Sequence, residues 1–350
     1  MTATRVLHVT QVYAGGISRA IASLVELMPE AEHHLLWAGN EVPDAALPFA
    51  SVHEMPQSPR QLIGAVRRLR EVVSLLEPDA VHAHSSFGGV YARIARLDVP
   101  VLYQPHCYKF DDGQQSVVRR VAFRLAEQTL ARRSAGTVVL SPHEERLARS
   151  LDKHARTYYL PNVATIRPRS AFAATEFRPA RDVLMIGRLS DQKDPDFFAE
   201  VAERVAAIDP NVTFRWIGDV DGVDDGRGAA MRRRLESAGV RVLGWLNGDA
   251  LAAELAKPGV YFHSAHYEGF PLSLLDAAAF EHPIAVRRIP TFDGLDIPDA
   301  ATQSQAADLI LEILDRGPAY GRAVAAAHHL NETMNRDAQR KALCALYASV

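Results

Sequence analysis

Two cationic side chains follow an apolar run that is typical of a buried strand. The run Val183–Ile186 is followed by Gly187 and Arg188, and Lys193 comes five residues after Arg188. Ligands of parallel α/β sheets bind beyond the carboxyl ends of the strands, so we expect both cations at the rim of a cleft. Arginine binds phosphate as a planar fork and lysine as a point charge, a pair that suits a diphosphate. Considered alone, an ordinary solvated loop explains these charges better.

A carboxylate begins a second candidate site. The apolar run Val260–Phe262 is followed by the sequence Glu268-Gly269-Phe270-Pro271-Leu272, and Asp276 lies eight residues after Glu268. Pro271 suits the first turn of a helix, where the next amides are available to anionic or hydroxyl oxygens. A carboxylate beside a diphosphate accepts hydrogen bonds from sugar or ribose hydroxyls. In the alternative, Glu268 complements a helix dipole and Asp276 faces solvent.

A glycine turn joins the first strand-like run to a helical segment. Gly15 and Gly16 stand between Val6–Val12 and Ile17–Leu27. Outward-facing amides and the helix dipole make such a turn an anion site that a phosphate can approach closely. The pattern is not the dinucleotide fingerprint GxGxxG. A tight turn without a ligand is the simpler explanation of these two glycines alone.

Three histidines follow or occupy strand-like runs in the first half of the chain. His106 follows Gln104-Pro105 and could act as a general base, since histidine titrates near neutral pH. A lone histidine in this position is more often structural. His82 and His84 alternate on one face of a strand, but no third metal ligand is evident.

Short apolar runs alternate with helical periods along the whole chain, which predicts parallel strands with crossover helices. The alternation pauses after Pro161-Asn162, and residues 164–180 have no clear period. We therefore expect an α/β protein of two Rossmann-like, doubly wound domains that face each other across a cleft. The predicted bounds are 1–165 and 166–334, with a final helix over about 335–350 packing back on the first domain.

The bulk composition excludes several classes of protein. The 350 residues carry a net charge of −3, so no global basic field indicates nucleic acid binding. Two cysteines cannot build a disulfide scaffold and fit a reducing compartment. The sequence contains neither a signal peptide nor a long apolar span, so we expect a cytoplasmic protein.

These separated elements together resemble glycosyltransferase family 4, retaining enzymes of the GT-B architecture. The resemblance rests on Gly15-Gly16, on Arg188 with Lys193, and on the Glu268 run with a carboxylate at 276. Further similar segments are His82-Ala83-His84-Ser85, Gln104-Pro105-His106, Val139-Leu140-Ser141, Leu160-Pro161-Asn162-Val163 and Gly218-Asp219. The similarity covers residues 4 to 285. It implies transfer of a hexose-type sugar from a nucleotide-diphosphate sugar to a glycan or lipid-linked acceptor, in cell-envelope or exopolysaccharide biosynthesis.

The resemblance also implies residue roles. Arg188 and Lys193 would hold the donor diphosphate, Glu268 would contact hydroxyls of the transferred sugar, and His106 would lie beside that sugar; these four form the predicted catalytic set. Asp276 would bind the donor ribose. The implied donor site is completed by Gly15, Gly16, Gly218, Trp245, Leu246, Gly269, Phe270, Pro271 and Leu272.

The chain departs from the family pattern at three places. Asp276 stands where the family usually has glutamate, and Glu281-His282-Pro283 stands where it usually has Gly-x-Pro. Arg287-Arg288-Ile289-Pro290-Thr291 replaces a glycine-rich segment. These departures leave the far wall of the donor pocket undefined.

The implied leaving group is a nucleoside diphosphate. No Asp-x-Asp lies at a strand end, and Asp111-Asp112 and Asp224-Asp225 are typical of solvated loops, so we expect no metal ion and no other cofactor. Arg188, Lys193 and helix N-termini would stabilise the charge of the leaving diphosphate. The transition state would be oxocarbenium-like. Family membership implies retention, for which we hypothesise front-face attack by the acceptor hydroxyl.

Residues 117–134 form a basic helical segment that could dock on an anionic membrane surface. It carries Arg119, Arg120, Arg124, Arg132 and Arg133 against Glu127. A solvated helix face explains the same charges equally well. Docking would make the protein peripheral on the inner face of the cell membrane.

Two alternative functions remain open. Asp276 and the altered 281–291 segment are also compatible with a non-catalytic nucleotide-sugar-binding or partner subunit. A GT-B nucleotide-sugar epimerase is the other alternative. A phosphorylase lacks support because no pyridoxal lysine is evident, and the absent GxGxxG argues against an NAD-dependent dehydrogenase.

Overall fold

The structure is a computed structural model that describes residues 3–39, 41–168, 181–220 and 226–350. Most of the predicted linker, residues 169–180, and the Asp224-Asp225 pair lie outside the described residues. The chain divides into two compact units. The first is Met1–Val163 with Arg336–Val350, and the second is Ala164–Asn335.

Strands and helices alternate along most of both units, except that the second strand is followed directly by the third and three helices end the chain. The strands are β1 Arg5–Thr10, β2 Glu32–Trp37, β3 Phe49–Glu54, β4 Ala80–His84, β5 Val101–Gln104, β6 Gly136–Val139, β7 Thr157–Tyr159, β8 Asp182–Ile186, β9 Thr213–Ile217, β10 Val240–Val242, β11 Val260–His263, β12 Ile284–Arg287 and β13 Asp299–Ala300. The helices are α1 Gly15–Leu27, α2 Leu62–Leu76, α3 Ser85–Ala95, α4 Val117–Ala131, α5 Pro142–Leu151, α6 Pro195–Ile208, α7 Arg227–Ser237, α8 Gly248–Leu255, α9 Leu272–Ala279, α10 Gln303–Leu314, α11 Pro318–Thr333 and α12 Arg336–Tyr347. None of the helices described has the length and apolar character that a bilayer crossing requires.

The first unit contains a seven-stranded sheet in the order β3-β2-β1-β4-β5-β6-β7, with every named strand pair parallel. One face packs against α2 and α3 through Val81, Leu69 and Tyr91. The opposite face packs against α1 and α12 through Leu24 and Leu343. The strand order reverses between β1 and β4, and this switch point is where doubly wound folds bind ligands.

Helix α12 is the last helix of the chain, yet it belongs to the first unit. The Ser23 hydroxyl on α1 donates to Gln339 Oε1 at 2.9 Å, and Gln339 Nε2 donates to the Pro161 carbonyl at 2.7 Å. Leu343, Leu346 and the side chain of Tyr347 are buried against the same sheet. The C-terminal helix thus completes the core of the N-terminal unit.

The second unit contains a six-stranded parallel sheet in the order β10-β9-β8-β11-β12-β13. Its core is aromatic: Phe198 of α6 packs against Phe214, Trp216 and Phe262, with ring centroids 5.4–6.2 Å apart. The strand order reverses between β8 and β11. The expectation of two parallel-sheet, Rossmann-like α/β domains is therefore confirmed.

Candidate functional site

The loops after β8 and β11 lie side by side at the switch point of the second sheet. The strands pair in parallel, with Val183 opposite Val260. The Ser264 hydroxyl donates to the Lys193 carbonyl at 2.7 Å, and the His266 amide donates to the Gln192 carbonyl at 3.1 Å. These bonds hold the predicted cationic loop against the predicted acidic turn.

Lys193 and Glu268 form a nearly buried ion pair within this loop pair. The Lys193 ammonium contacts Glu268 Oε1, and the two side chains are only 13% and 8% exposed. Gln192 Nε2 donates to the Tyr267 carbonyl at 3.2 Å and lies 3.4 Å from Glu268 Oε2. The predicted cation and carboxylate are therefore in direct contact.

Glu268 is ionised in this environment. Burial by itself raises the pKa of its carboxyl, but the charge of Lys193 and a hydrogen bond from His263 outweigh burial and lower that pKa to about 2. His263 Nε2 lies 3.4 Å from Glu268 Oε1. Burial lowers the pKa of His263, whose Nδ1 lies 3.0 Å from the Tyr261 hydroxyl.

The segment that replaces the family's glycine-rich stretch supports both loops. The Thr291 hydroxyl donates to the Glu268 carbonyl at 2.5 Å. Arg287 Nη1 donates to Asp194 Oδ2 at 2.6 Å and stacks over the Phe197 ring at 4.2 Å. Asp194 Oδ1 in turn caps α6 by accepting from the Phe197 amide at 3.1 Å. Residues that sequence reasoning treated as departures thus fix the rim of the site.

Arg188 lies half-buried at the start of the same loop, where the end of β9 packs closely. Gly218 has a φ of +134°, and a Cβ at this position would lie 2.1 Å from the Gly187 carbonyl oxygen. The same oxygen accepts from Trp216 Nε1 at 2.8 Å. Only glycine fits here, because a side chain at position 218 would collide with the carbonyl of Gly187, the residue before Arg188.

The predicted nucleotide-base loops also meet at this edge. The Gly218 amide donates to the Gly244 carbonyl at 2.8 Å, and Trp245 Nε1 donates to the Val220 carbonyl at 3.1 Å. The Trp245 side chain is 45% exposed, whereas Leu246 is half-buried. An exposed, anchored indole ring of this kind offers a flat apolar surface for a planar ligand group. Residues 221–225 of this loop lie outside the described residues.

Comparison with known proteins identifies the family. A family model described as a glycosyl transferase 4-like domain matches residues 15–162, and one described as glycosyl transferases group 1 matches residues 180–315. The chain belongs to the glycosyltransferases of family 4, group 1 type.

Individual relatives of this glycosyltransferase are distant in sequence. It is 24% identical over 255 residues to the Escherichia coli UDP-Gal:alpha-D-GlcNAc-diphosphoundecaprenol alpha-1,3-galactosyltransferase, a match that spans 65% of this chain and 64% of that enzyme. Sucrose-phosphate synthase from Thermosynechococcus elongatus aligns with a TM-score of 0.81 at 15% identity, covering 99% of this chain and 98% of that one. Anabaena Alr3699/HepE, solved with UDP and glucose, aligns with a TM-score of 0.80 at 14% identity, covering 99% and 100%. These solved structures share the GT-B fold.

In this glycosyltransferase the acidic helix begins one residue later than Pro271 suggests. Pro271 has extended backbone geometry and precedes α9, whose first residue is Leu272. Gly269 and Phe270 are buried in the turn before it. Pro271, the residue at the N-cap position, makes no side-chain hydrogen bond to the first turn of α9.

Asp276 has a structural contact that sequence reasoning missed. It is fully buried on α9, and its Oδ1 accepts from the amides of Thr165 and Ile166 at 2.7 and 2.9 Å. These two residues open the second unit. Asp276 is the residue predicted to bind the donor ribose. At least one of its carboxylate oxygens thus already accepts hydrogen bonds from the main chain.

Gly15, Gly16 and His106 belong to the first unit. Gly15 opens α1 with a φ of +55°, and its amide donates to Glu41 Oε1 at 2.9 Å. The Ser18 hydroxyl donates to the other oxygen of Glu41 at 2.7 Å. The glycine turn therefore already holds an anionic group, a carboxylate of the chain itself. Glu41 carried no motif that could have indicated this contact.

Proposed function

We propose that this glycosyltransferase transfers a hexose from a nucleoside-diphosphate sugar, with retention at the anomeric carbon and without a metal ion. The observation that supports the proposal is the nearly buried Lys193–Glu268 pair at the switch point of the second sheet, in the loop that also carries Arg188. Arg188 and Lys193 would stabilise the charge of the leaving diphosphate in a site of low dielectric constant. Glu268, held as an anion, can only accept hydrogen bonds and would bind the hydroxyls of the transferred sugar.

The test is a transfer and donor-hydrolysis assay with UDP-galactose and UDP-glucose, with and without EDTA. Lys193→Met should lower kcat/KM by about 10²-fold or more, as loss of a transition-state cation does. Lys257→Met is the matched control, because Lys257 pairs with Glu254 on the surface and is 57% exposed. Donor binding without turnover by the wild type would instead support the non-catalytic subunit. NMR of the product anomer tests retention, and inactivation by EDTA would refute metal independence.

We further propose a lipid-linked acceptor reached at an anionic membrane surface. The Escherichia coli relative acts on a diphosphoundecaprenol-linked sugar by its name. In the first unit the initial ten residues of α4 are exposed on every face, including Val118 at 79% and Leu125 at 55%. Apolar side chains beside Arg119 suit insertion among acidic headgroups. Such docking would place the protein on the cytoplasmic face of the cell membrane.

Liposome co-sedimentation tests the membrane proposal. Val118→Asp should reduce binding to vesicles that contain phosphatidylglycerol, and Arg119→Glu should weaken binding and its dependence on the acidic lipid. Ile208→Asp is the matched control, since Ile208 is an apolar residue of the second unit that is also exposed, at 64%. Wild-type binding that is absent, or that the α4 variants do not change, would refute this docking surface.

A further inference from the structure

Four histidines of the first unit form a continuous hydrogen-bonded chain. His33 on β2 contacts His8 on β1, His8 contacts His84 at the end of β4, and His84 contacts His106 after β5. The three nitrogen–nitrogen distances are 3.0, 3.1 and 3.0 Å. The first three rings are buried, whereas His106 is partly exposed at the carboxyl edge of the sheet. This chain of histidines thus runs from the core to the edge where ligands bind in this fold class.

The inner end of the histidine chain, His33, determines which ring nitrogens carry hydrogen. His33 Nε2 lies 3.0 Å from the Met28 carbonyl, which can only accept, so this nitrogen carries a hydrogen. A neutral His33 then accepts at Nδ1 from His8 Nε2–H. In the same way His8 accepts from His84 Nε2–H, and His84 accepts from His106 Nε2–H. Each ring thereby has one possible tautomer.

The rings are neutral because burial disfavours their charged forms. Burial lowers the pKa of His8 and His84 well below the ordinary value, and that of His33 as well. It lowers the pKa of His106 to about 4. At neutral pH a neutral His106 with its hydrogen on Nε2 has its lone pair on Nδ1.

We propose that this chain locks the tautomer of His106, so that His106 Nδ1 is a permanent hydrogen-bond acceptor for a substrate hydroxyl at the edge of the first sheet. The choice of a substrate hydroxyl rests on the proposed function. The backbone of His106 has a φ of +61°, in the left-handed region that is strained for a residue other than glycine. Strained backbone of this kind persists at sites where the surrounding structure holds it, and the bond to His84 holds the ring.

Two other roles for the cluster fit less well. A proton conduit needs an exit, but the inner end is a peptide carbonyl, which does not take up a proton. A metal site would use His8, His82 and His84, whose ligand nitrogens lie within 4.8 Å of one another. The rings of His82 and His84 are stacked 4.2 Å apart at 29°. Nitrogen lone pairs lie in the ring plane, so two stacked rings cannot both direct one at a single ion.

The experiment is long-range ¹H–¹⁵N NMR of the ¹⁵N-histidine-labelled full chain at pH 7. The expected result is His106 as the Nε2–H tautomer alone, assigned through the His106→Gln variant. His8→Leu removes the acceptor of His84, so the Nδ1–H tautomer of His106 should appear. His8→Gln supplies a donor and an acceptor in nearly the same positions and should restore the lock.

Wild-type His106 found as Nδ1–H, as a mixture or as a cation would overturn the lock. A stoichiometric Zn²⁺ complex of the wild type that His8→Leu abolishes would also overturn it. The wild-type spectrum needs no variant, so a His8→Leu protein that fails to fold does not decide the question. A locked tautomer in a chain without sugar transfer supports the lock and counts only against the proposed function.

Discussion

Replacing Lys193 by methionine removes the positive charge that keeps Glu268 ionised. The pKa of the Glu268 carboxyl is about 2, against an ordinary 4.5, although burial alone would raise it. That difference corresponds to about 3 kcal/mol of interaction favouring the ionised form. Without the ammonium the carboxyl keeps its 3.4 Å contacts to His263 and Gln192, which carry no full charge to replace it. We therefore expect Lys193→Met to lower the free energy of unfolding by about 3 kcal/mol at pH 7, the scale for a broken buried pair.

Urea unfolding of wild type, Lys193→Met and Lys193→Met/Glu268→Gln between pH 4 and 8 measures this coupling. In the wild type the ionised Glu268 stabilises the fold above pH 4.5, and this contribution is lost as the pH falls towards 2. In Lys193→Met the buried carboxyl must lose its proton without a partner, so the deficit grows as the pH rises. The double variant buries two neutral groups and should recover most of the loss.

The pair of Lys257 with Glu254 is the reference for the expected loss of stability. Lys257→Met removes an exposed ammonium from the half-buried Glu254 and should change stability by less than about 1 kcal/mol, because Glu254 keeps its bond from Arg215. A Lys193→Met protein that loses no more than Lys257→Met, at every pH, would refute the reasoning. So would a double variant that is less stable than Lys193→Met.

Three further substitutions test other parts of the structure. Glu144 is buried, and burial outweighs its bond from the Leu140 amide to raise its pKa to about 8, so stability should fall as the pH rises from 4.5 through 8. Glu144→Gln should remove several kcal/mol of this decline in urea unfolding at pH 6 and 9. Gly218→Ala should destabilise the second unit by about 3 kcal/mol or more in the same assay, because its Cβ would collide with the Gly187 carbonyl. Asp276→Ala should speed hydrogen exchange of the Thr165 amide, which the carboxylate protects. Unchanged pH dependence, midpoint or exchange rate, respectively, would contradict these expectations.

The sequence was sufficient to predict elements whose signal is local. The apolar run Val183–Ile186 lies within β8, and the Gly187–Lys193 loop follows it to the edge of the sheet as expected. The contact of Lys193 with Glu268 follows from the rule that the carboxyl ends of parallel strands share one edge. Such inferences need only strand order and period.

Contacts between distant residues could not be predicted in the same way. Residues 117–130 read as an ordinary amphipathic helix, yet within α4 only Glu127 and Leu130 are buried. Glu127 of α4 forms an ion pair with the buried Arg93 at 2.9 Å. The Arg93 guanidinium also stacks on the Tyr103 ring. No pattern in the sequence links residues 34 positions apart. For the same reason the sequence did not indicate that His8 lies among the other histidines. The parallel register of β1 and β4 places it opposite His82.

Asp276 departs from the family pattern, and its contacts give a physical reason for the departure. Its Oδ1 accepts two main-chain amides at the point where the chain enters the second unit. A glutamate is longer by one methylene and could not place its carboxylate at the same distance from α9 without displacing Thr165 and Ile166. The shorter side chain therefore suits a residue that fastens the chain to α9. A ribose contact at position 276 would have to coexist with these two bonds, so donor affinity and amide protection should change together in Asp276→Ala if both roles are real.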